Sequence, residues 1–347
     1  MEIAFIKMQA LNNDFIIIDK KFFINLPASQ IKQNIIFLAN RTSGIGADQI
    51  ILYEHSLRPS NFPEINIEIF NQDGSTTNAC GNAFRCLGLH FMIRYNSQGL
   101  YINIFNNNIK NQTVFCFKNT AKITDNLSSA YLFNHHISVN MGIPRFAGKD
   151  IPCKFPNNIA KPFDPQNISL TTLLKHLPFY LDPSLRQNNV NDAKSREDIT
   201  KEILNFANYF DNPYALNIGN PHLVFFKKAN FKDSSLDEEV ISNERLKILG
   251  PQLENHSFFP EKVNIEFAQV IANNTIKMKV WERGAGHTLA CGTGACATFI
   301  AAFYKKLILA KCQIIMEGGS LEVELAPNNS IIMTGEANFV FSGNISL

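Results

Sequence analysis

The feature that most constrains the fold of this chain is a short segment, Ala-Cys-Gly, that occurs at residues 79–81 and again at residues 290–292. Each copy follows a strand-like run and a turn, and each precedes apolar residues at helical spacing. Further strand-like runs come after both helical patterns. Each half therefore has the same order of strands, Cys-Gly helix and strands, which predicts an internal duplication.

The rest of the chain indicates the α/β (α+β) class. Short apolar runs, such as the strictly alternating residues 65–70, are typical of strands with one buried face. Few connections have the spacing of a βαβ unit, which favours antiparallel sheets. We expect two pseudo-symmetric domains, each an antiparallel sheet or barrel wrapped around a central helix. Gly142 and Pro144 mark the boundary, so that residues 1–139 carry Cys80 and residues 140–335 carry Cys291.

Two parts of the second domain are less regular. Residues 160–211 are rich in Asn, Pro, Lys and Asp, and we interpret them as a divergent insertion to which the sequence assigns no chemistry. Residues 214–226 form an apolar run interrupted by Gly219-Asn220-Pro221-His222. Polar residues in mid-strand predict a bulge or the wall of a ligand site at this point.

Composition limits the classes of function. The chain has 347 residues, 45% of them hydrophobic, and a net charge of +2. No Lys/Arg block is dense enough to follow a phosphate backbone, so we expect no nucleic-acid partner. No signal peptide or apolar run of membrane-spanning length is present, so we expect no membrane association. The seven scattered cysteines are typical of a reducing cytoplasm.

The candidate reactive groups are Cys80 and Cys291. A cysteine at a helix start faces free backbone N–H groups and the positive end of the helix dipole, which favour thiolate over thiol. Neither cysteine has a second cysteine or a histidine pair at zinc-site spacing, so we expect no metal. A thiol hydrolase with His222 as its base is one alternative, but it leaves the second Cys-Gly helix start unexplained.

Two such thiols facing one another can invert a stereocentre. One thiolate removes a proton from carbon, and the other thiol delivers a proton to the opposite face. One sulfur must be thiolate while the other is thiol, so their titrations are coupled. Free N–H groups at the helix starts can also hold a substrate carboxylate while negative charge grows on it.

Further motifs in a fixed order carry a family resemblance. They are Asn13-Asp14-Phe15, Gly46-Ala47-Asp48-Gln49, Ile69-Phe70-Asn71-Gln72-Asp73-Gly74-Ser75, Ala79-Cys80-Gly81-Asn82 with Arg85-Cys86, Val139-Asn140-Met141-Gly142, Gly219-Asn220-Pro221-His222, Phe259-Pro260 with Asn264, and Glu282-Arg283-Gly284-Ala285-Gly286 leading to Ala290-Cys291-Gly292-Thr293-Gly294-Ala295-Cys296. With these motifs the chain resembles the diaminopimelate epimerases, over most of its length outside roughly residues 155–211.

The resemblance implies a fold and an activity. The fold is two similar domains with the active site in the cleft between them and the last strand, about residues 336–347, returning to the first domain. The activity is the interconversion of LL- and meso-2,6-diaminopimelate, a small diamino-diacid, without pyridoxal phosphate or any other cofactor. The resemblance further implies a cytoplasmic homodimer that works in lysine and peptidoglycan precursor biosynthesis.

The resemblance also implies roles for individual residues. Cys80 and Cys291 match the acid/base pair, and His222 and Glu282 match residues close to it. The amino-acid end of the substrate is held by residues matching Gly81, Asn82, Gly292 and Thr293. The rest of the substrate is contacted by residues matching Asn13, Gln49, Asn71, Asn220, Asn264, Glu282 and Arg283. Among these, Arg283 can pair with a distal carboxylate through two hydrogen bonds.

Some positions depart from the family pattern. Ala10 and Asn12 stand where glycines are usual, Ala83-Phe84 replaces glycine-alanine, and His287 replaces an acid. We expect Phe84 to pack into the core. The departures keep open a racemase or epimerase of another amino acid, as in proline-racemase-like or histidine-racemase-like proteins. A non-catalytic binding protein of the same fold is a further alternative, against which the two cysteines argue.

Overall fold

The computed structural model describes residues 2–56, 60–77, 80–106, 109–118, 135–154, 168–175, 206, 208–228 and 239–347. The chain divides into two units. Unit 1 consists of Met1–Gly142 and Ile332–Leu347, and unit 2 consists of Ile143–Ile331.

Unit 1 is a closed β-barrel around one helix. Its elements are β1 (Glu2–Ala10), β2 (Asn13–Asp19), a 3-10 turn (Lys20–Phe22), α1 (Ala28–Ala39), β3 (Gln49–His55), β4 (Glu64–Asn71), β5 (Thr76–Thr77), α2 (Gly81–Arg94), β6 (Gly99–Asn106), β7 (Ile109–Lys118), β8 (His135–Asn140) and the C-terminal β16 (Ile331–Ser346). Strands pair in the order β1-β2-β3-β4-β6-β7-β8-β16, and β16 also pairs with β1. Helix α2 contacts β1, β6, β7 and β8 and is buried along most of its length, as expected of a helix enclosed by a sheet.

Unit 2 repeats this plan of strands around one helix. Its elements are α3 (Leu170–Lys175), β9 (Tyr214–Asn217), β10 (Pro221–Phe226), α4 (Asn243–Glu254), β11 (Asn264–Ala272), β12 (Thr275–Glu282), β13 (Gly286–Thr288), α5 (Gly292–Tyr304), β14 (Lys311–Met316) and β15 (Gly319–Leu325). The strand order is β9-β10-β11-β12-β14-β15. Helix α5 packs on β9, β10, β11, β14 and β15 and is buried over its first three turns.

The same sequence of strand pairings occurs in both units. Antiparallel β1–β2, parallel β2–β3, antiparallel β3–β4, parallel β4–β6 and antiparallel β6–β7 in unit 1 correspond to β9–β10, β10–β11, β11–β12, β12–β14 and β14–β15 in unit 2. The predicted fold class of duplicated sheets around central helices is confirmed. The sheets are not purely antiparallel, because a helix crosses over between the two strands of each parallel pair.

One predicted feature of unit 2 turns out differently, and another lies largely outside the described residues. Residues 214–226 are not one strand with a bulge but the hairpin of β9 and β10, in which Asn217 pairs with Pro221. Gly219 makes the turn at a φ of +92°, which glycine adopts readily. Residues 160–167 and 176–205 of the predicted insertion lie outside the described residues, while α3 and Phe206 pack into the core of unit 2.

No helix in the described part of the chain combines the length and the apolar character needed to cross a membrane.

Candidate active site

Strand register aligns the candidate residues of unit 1 with those of unit 2. Gln49 pairs with Phe15 between β3 and β2, and Asn264 pairs with His222 between β11 and β10. Gln49 and Asn264 are also the first residues of their strands. They therefore occupy equivalent positions in the two copies of the fold.

The same alignment extends to most of the predicted site. Asn71 ends β4 and Glu282 ends β12, and each precedes its cysteine by nine residues. Both cysteines are the residues immediately before α2 and α5. The equivalent pairs are Asn13 and Asn220, Gln49 and Asn264, Asn71 and Glu282, Cys80 and Cys291, Gly81 and Gly292, and Asn82 and Thr293. Of the predicted residues, only His222 and Arg283 are absent from these pairs. By the same alignment their equivalents in unit 1 are Phe15 and Gln72.

In unit 1, Cys80 is half-buried at the N-cap of α2. The amide of Asn13 donates a hydrogen bond to Cys80 Sγ at 3.9 Å, and that of Gln49 donates to Asn71 Oδ1 at 3.0 Å. Asn13 Oδ1 and Gln49 Oε1 are buried acceptors with no hydrogen-bond partner among the described residues. Because an unsatisfied buried acceptor is unfavourable, these two oxygens suit N–H groups of a bound ligand.

A cluster of charged side chains fixes the strand starts that carry Asn13 and Gln49. Arg41 donates two hydrogen bonds to the Asp14 carboxylate, at 2.9 and 2.8 Å, and a third to Asp48 at 2.8 Å. Lys7 is only 6% exposed, and its Nζ lies 2.8 Å from Asp14 Oδ2. The backbone N–H of Asp14 and that of Asp48 each donate to the other residue's carboxylate. The two predicted binding residues adjoin this cluster directly.

The cluster shifts the pKa values of its two acids, Asp14 and Asp48, in opposite directions. Burial raises the pKa of Asp14, but hydrogen bonds from Arg41 and Lys7 outweigh burial and hold that pKa well below its usual range. Burial raises the pKa of Asp48, and the neighbouring Asp14 raises it further. Asp14 is therefore the acid whose ionised form the fold favours most.

A buried cation lies on the helix that follows Cys80. Arg85 is fully buried, donates to Asn82 Oδ1 at 2.8 Å and to the backbone carbonyl of Glu336 at 3.2 Å, and approaches that of Gly81 at 3.5 Å. Its guanidinium thus adjoins the first turn of α2 and orients the side chain of Asn82.

In unit 2, Cys291 is 4% exposed at the N-cap of α5. Its sulfur accepts a hydrogen bond from the Gly294 N–H at 3.3 Å and lies 3.4 Å from Thr293 Oγ1. Burial raises the pKa of the thiol well above its ordinary value, and the carboxylates of Glu282 and Glu266 raise it further. At Cys291 these effects oppose the preference for thiolate that is expected of a helix start, and they outweigh the two hydrogen bonds.

The predicted residue His222 is fully buried between two partners. Its Nδ1 lies 2.6 Å from Glu266 Oε1, and its Nε2 lies 2.7 Å from Asn220 Oδ1. Glu266 is also fully buried. Burial raises the pKa of Glu266, while the adjacent His222 lowers it.

The remaining predicted residues of unit 2 surround the end of β12. Asn264 donates to the Pro221 carbonyl at 2.8 Å and accepts from the Arg283 N–H at 2.9 Å. The exposed guanidinium of Arg283 donates to the Glu261 carbonyl at 3.0 Å. Thr288 donates to the carboxylate of Glu282.

The departures from the family pattern have local explanations. Asn12 has a φ of 62°, a conformation that asparagine tolerates better than most residues. Phe84 is 1% exposed, which confirms its packing in the core. His287 Nε2 lies 2.6 Å from Glu317 Oε2, so it forms an ion pair when it is protonated.

Sequence reasoning did not assign Glu266 or Arg85 to the site. The signal for Glu266 was its position two residues after Asn264, which puts both side chains on one face of a strand. Arg85 belonged with Cys86 to one of the family motifs, but no role in the site was predicted for it. Among the described residues, no three His, Cys, Asp or Glu side chains are grouped so that they could hold a metal ion.

Comparison with known proteins identifies the family of this chain. The family model described as diaminopimelate epimerase matches residues 5–99 and 214–340. A diaminopimelate epimerase of Pelagibacter ubique (strain HTCC1062) is 33% identical over 347 residues, which is 100% of both chains.

Solved structures of low sequence identity share the fold. A protein described as a predicted epimerase from Pseudomonas aeruginosa has a TM-score of 0.56 at 10% identity and covers 99% of both chains. A hydroxyproline epimerase from Agrobacterium vitis has a TM-score of 0.54 at 10% identity, over 100% of this chain and 93% of that one. The resemblance found in the sequence is confirmed by the family model and the curated relative: this chain is an isomerase that belongs to the diaminopimelate epimerase family.

Proposed function

We propose that this protein is a cytoplasmic diaminopimelate epimerase, which interconverts LL- and meso-2,6-diaminopimelate in the synthesis of lysine and peptidoglycan precursors. The observation that carries the proposal is that the two units align their candidate site residues pair by pair. Each of the two sets contains a cysteine at a helix N-cap. Family membership supports the choice of substrate. A mechanism with a single activated cysteine would not require the second set of site residues.

In the proposed reaction, the thiolate of one cysteine takes the α-proton, so that a C–H bond breaks and an S–H bond forms. The thiol of the other cysteine gives its proton to the opposite face of the same carbon, so that its S–H bond breaks and a new C–H bond forms. The configuration at carbon is inverted, and the two sulfurs exchange protonation states. No oxidant, reductant or cofactor enters the balance.

The proposed role of the helix starts is to stabilise the deprotonated substrate. The N–H groups of Gly81 and Asn82, and those of Gly292 and Thr293, lie in first helical turns, where backbone donors have no partner within the helix. Such donors hold the carboxylate next to the reacting carbon as its negative charge increases. The buried acceptors of Asn13 and Gln49 suit an ammonium group, which a diamino-diacid supplies.

The deciding experiment is hydrogen exchange. We expect the reduced protein to incorporate deuterium from D2O at the α-carbon of LL- or meso-diaminopimelate and to interconvert the two, with no cofactor added. Cys80→Ala and Cys291→Ala should each abolish interconversion, because each removes one of the two proton carriers. Cys153→Ser is the matched control, since Cys153 is a half-buried cysteine outside both sets and should remain fully active.

Interconversion by either alanine variant would contradict the two-thiol mechanism. A panel of other amino acids, including proline and 4-hydroxyproline, tests the alternative substrate classes. Exchange on one of these amino acids without exchange on diaminopimelate would replace the proposed substrate. If folded wild-type protein exchanges no amino acid, the alternative of a non-catalytic binding protein is correct.

A further inference from the structure

Unit 2 contains a buried ionisable pair where unit 1 has apolar side chains. His222 and Glu266 are both 0% exposed. By the alignment of the two units, the equivalent residues of unit 1 are Phe15 and Ile51, which are also 0% exposed. The same fold therefore packs these two positions without any polar atom. Because burying ionisable groups is unfavourable, packing does not explain why unit 2 has them.

The hydrogen bonds of the pair determine where the imidazole carries its protons. Asn220 Oδ1 is an acceptor and lies 2.7 Å from His222 Nε2, so Nε2 must be the donor. On the other side, one proton lies between Nδ1 and Glu266 Oε1, 2.6 Å apart. Whether this proton belongs to the carboxyl or to the ring, the ring keeps a proton on Nε2. A neutral ring protonated on Nδ1 alone would set a nitrogen lone pair against the amide oxygen.

The carboxyl group of Glu266 has no other hydrogen bond in the described part of the chain. Its Oε2 is buried without a partner, so the bond from Oε1 to His222 accounts for its polar contacts. The carboxyl also fits closely against α5: a Cβ atom added at Gly294 would lie 2.9 Å from Glu266 Oε1. The first turn of α5 thus leaves room for this carboxyl beside the imidazole.

We propose that Glu266 is a positioning residue that acts through His222 on Asn220. Glu266 keeps His222 protonated on Nε2, and that N–H holds the amide oxygen of Asn220. The NH2 group of Asn220 is then turned away from the ring, as a donor for a carboxylate of the substrate. This proposal rests on the proposed function only for the identity of the ligand that Asn220 binds.

Two variants separate positioning from charge. Glu266→Gln can donate an amide N–H to Nδ1 and so keep the proton on Nε2, whereas Glu266→Met has a similar length but no group for Nδ1. We expect Glu266→Met to lower kcat/KM for diaminopimelate by roughly 10- to 100-fold, the usual range for a residue that orients a functional histidine. Glu266→Gln should lose less than about 10-fold. A Met variant as active as wild type, or a Gln variant as impaired as the Met variant, would overturn the proposal.

A measurement that does not depend on activity is nitrogen NMR of protein labelled with 15N-histidine. His222 is identified by the signal lost in His222→Gln. His256 is an internal reference, because its Nδ1 accepts from the Phe258 N–H and its Nε2 lies 2.9 Å from the Leu173 carbonyl. We expect the His222 signals to be those of a ring protonated on Nε2, as the contact with Asn220 Oδ1 requires.

In Glu266→Met the His222 signal should become that of mixed tautomers while the His256 signal stays unchanged, which also shows that unit 2 remains folded. An unprotonated Nε2 on His222 in the wild-type protein would disprove the proposal. Because the NMR result is independent of turnover, failure of the proposed function and failure of the role of Glu266 are distinguishable.

Discussion

The two cysteine-bearing helix starts have similar backbones and different electrostatic surroundings. Cys80 has φ and ψ of −152° and 100°, and Cys291 has −131° and 114°, so both are extended N-caps. Cys80 is half-buried, accepts from an amide and precedes a helix with the buried guanidinium of Arg85. Cys291 is almost fully buried, and the charges that act on it come from two carboxylates.

The comparison teaches that a helix start alone does not determine the state of a thiol. The duplicated fold supplies the same backbone donors twice, and side chains from other strands and turns then differentiate the two copies. A reaction that needs one thiolate and one thiol at the same time is compatible with such an asymmetry. The surroundings of Cys291 favour its thiol form.

The largest expected difference between the two sites is in thiol reactivity. At pH 8 we expect iodoacetamide to alkylate Cys80 at least about tenfold faster than Cys291. Cys80 is half-buried, whereas Cys291 is almost fully buried and the pKa of its thiol is raised, which lowers its thiolate fraction about tenfold for each unit. Mass spectrometry of the two cysteine peptides over time measures both rates. Denatured protein, in which both cysteines should react alike, is the control. Equal rates in the folded protein would remove the inferred asymmetry.

A second, smaller difference between the units lies in how the first residues of the strands beside each cysteine are held. Unit 1 holds them with charges around Asp14, whereas Pro221 occupies the equivalent position in unit 2 and its carbonyl accepts an amide hydrogen bond from Asn264. Folding favours ionised Asp14, so its contribution is complete above its unfolded pKa and is lost as the pH falls through its folded pKa. Asp14→Asn should lower the free energy of unfolding by about 2 kcal/mol at pH 7.

Urea titrations of wild type and Asp14→Asn at several pH values test this prediction. The difference between them should be constant from neutral pH down to about pH 4, the region of the unfolded pKa, and should shrink below it. A difference at pH 3 as large as that at pH 7 would mean that the charge of Asp14 contributes nothing.

The smallest expected effect concerns the turns before the two cysteines. His287 pairs with Glu317 across partly exposed side chains, 19% and 31% accessible. The aligned residue of unit 1, Thr76, instead donates to Asn106 Oδ1 at 3.0 Å. Exposed ion pairs contribute little, so His287→Ala should lower the free energy of unfolding by less than about 1 kcal/mol. Thr76→Ala is the matched variant, and urea midpoints of the two measure the contrast. A loss several times larger for His287→Ala would assign this pair a structural role that its exposure does not explain.

Features with a local signal were predictable from the sequence. A turn, a glycine and an apolar helical pattern located both helix starts, and the order of short motifs identified the family. The hairpin at residues 218–220 was mistaken for a bulge, because the apolar pattern continues on both sides of Gly219 and one sequence does not reveal its positive φ.

The charge partners within the site were not predictable. Glu266 meets His222 only through the parallel pairing of β10 and β11, which brings together residues 44 positions apart. The state of the Cys291 thiol depends on burial and on carboxylates from β11 and β12. The position of Cys291 at a helix start could be predicted from the sequence, but its burial and the nearby carboxylates could not.

The closing strand of unit 1 has a consequence for how the protein is made. β16 fills the gap between β1 and β8, yet nearly all of unit 2 lies between β8 and β16 in the chain. On the ribosome, unit 2 is therefore translated in full before unit 1 can close. Until then the edges of β1 and β8 are open, and open edges invite wrong strand pairing. Unit 1 emerges first, yet its barrel cannot close until the last strand has been synthesised.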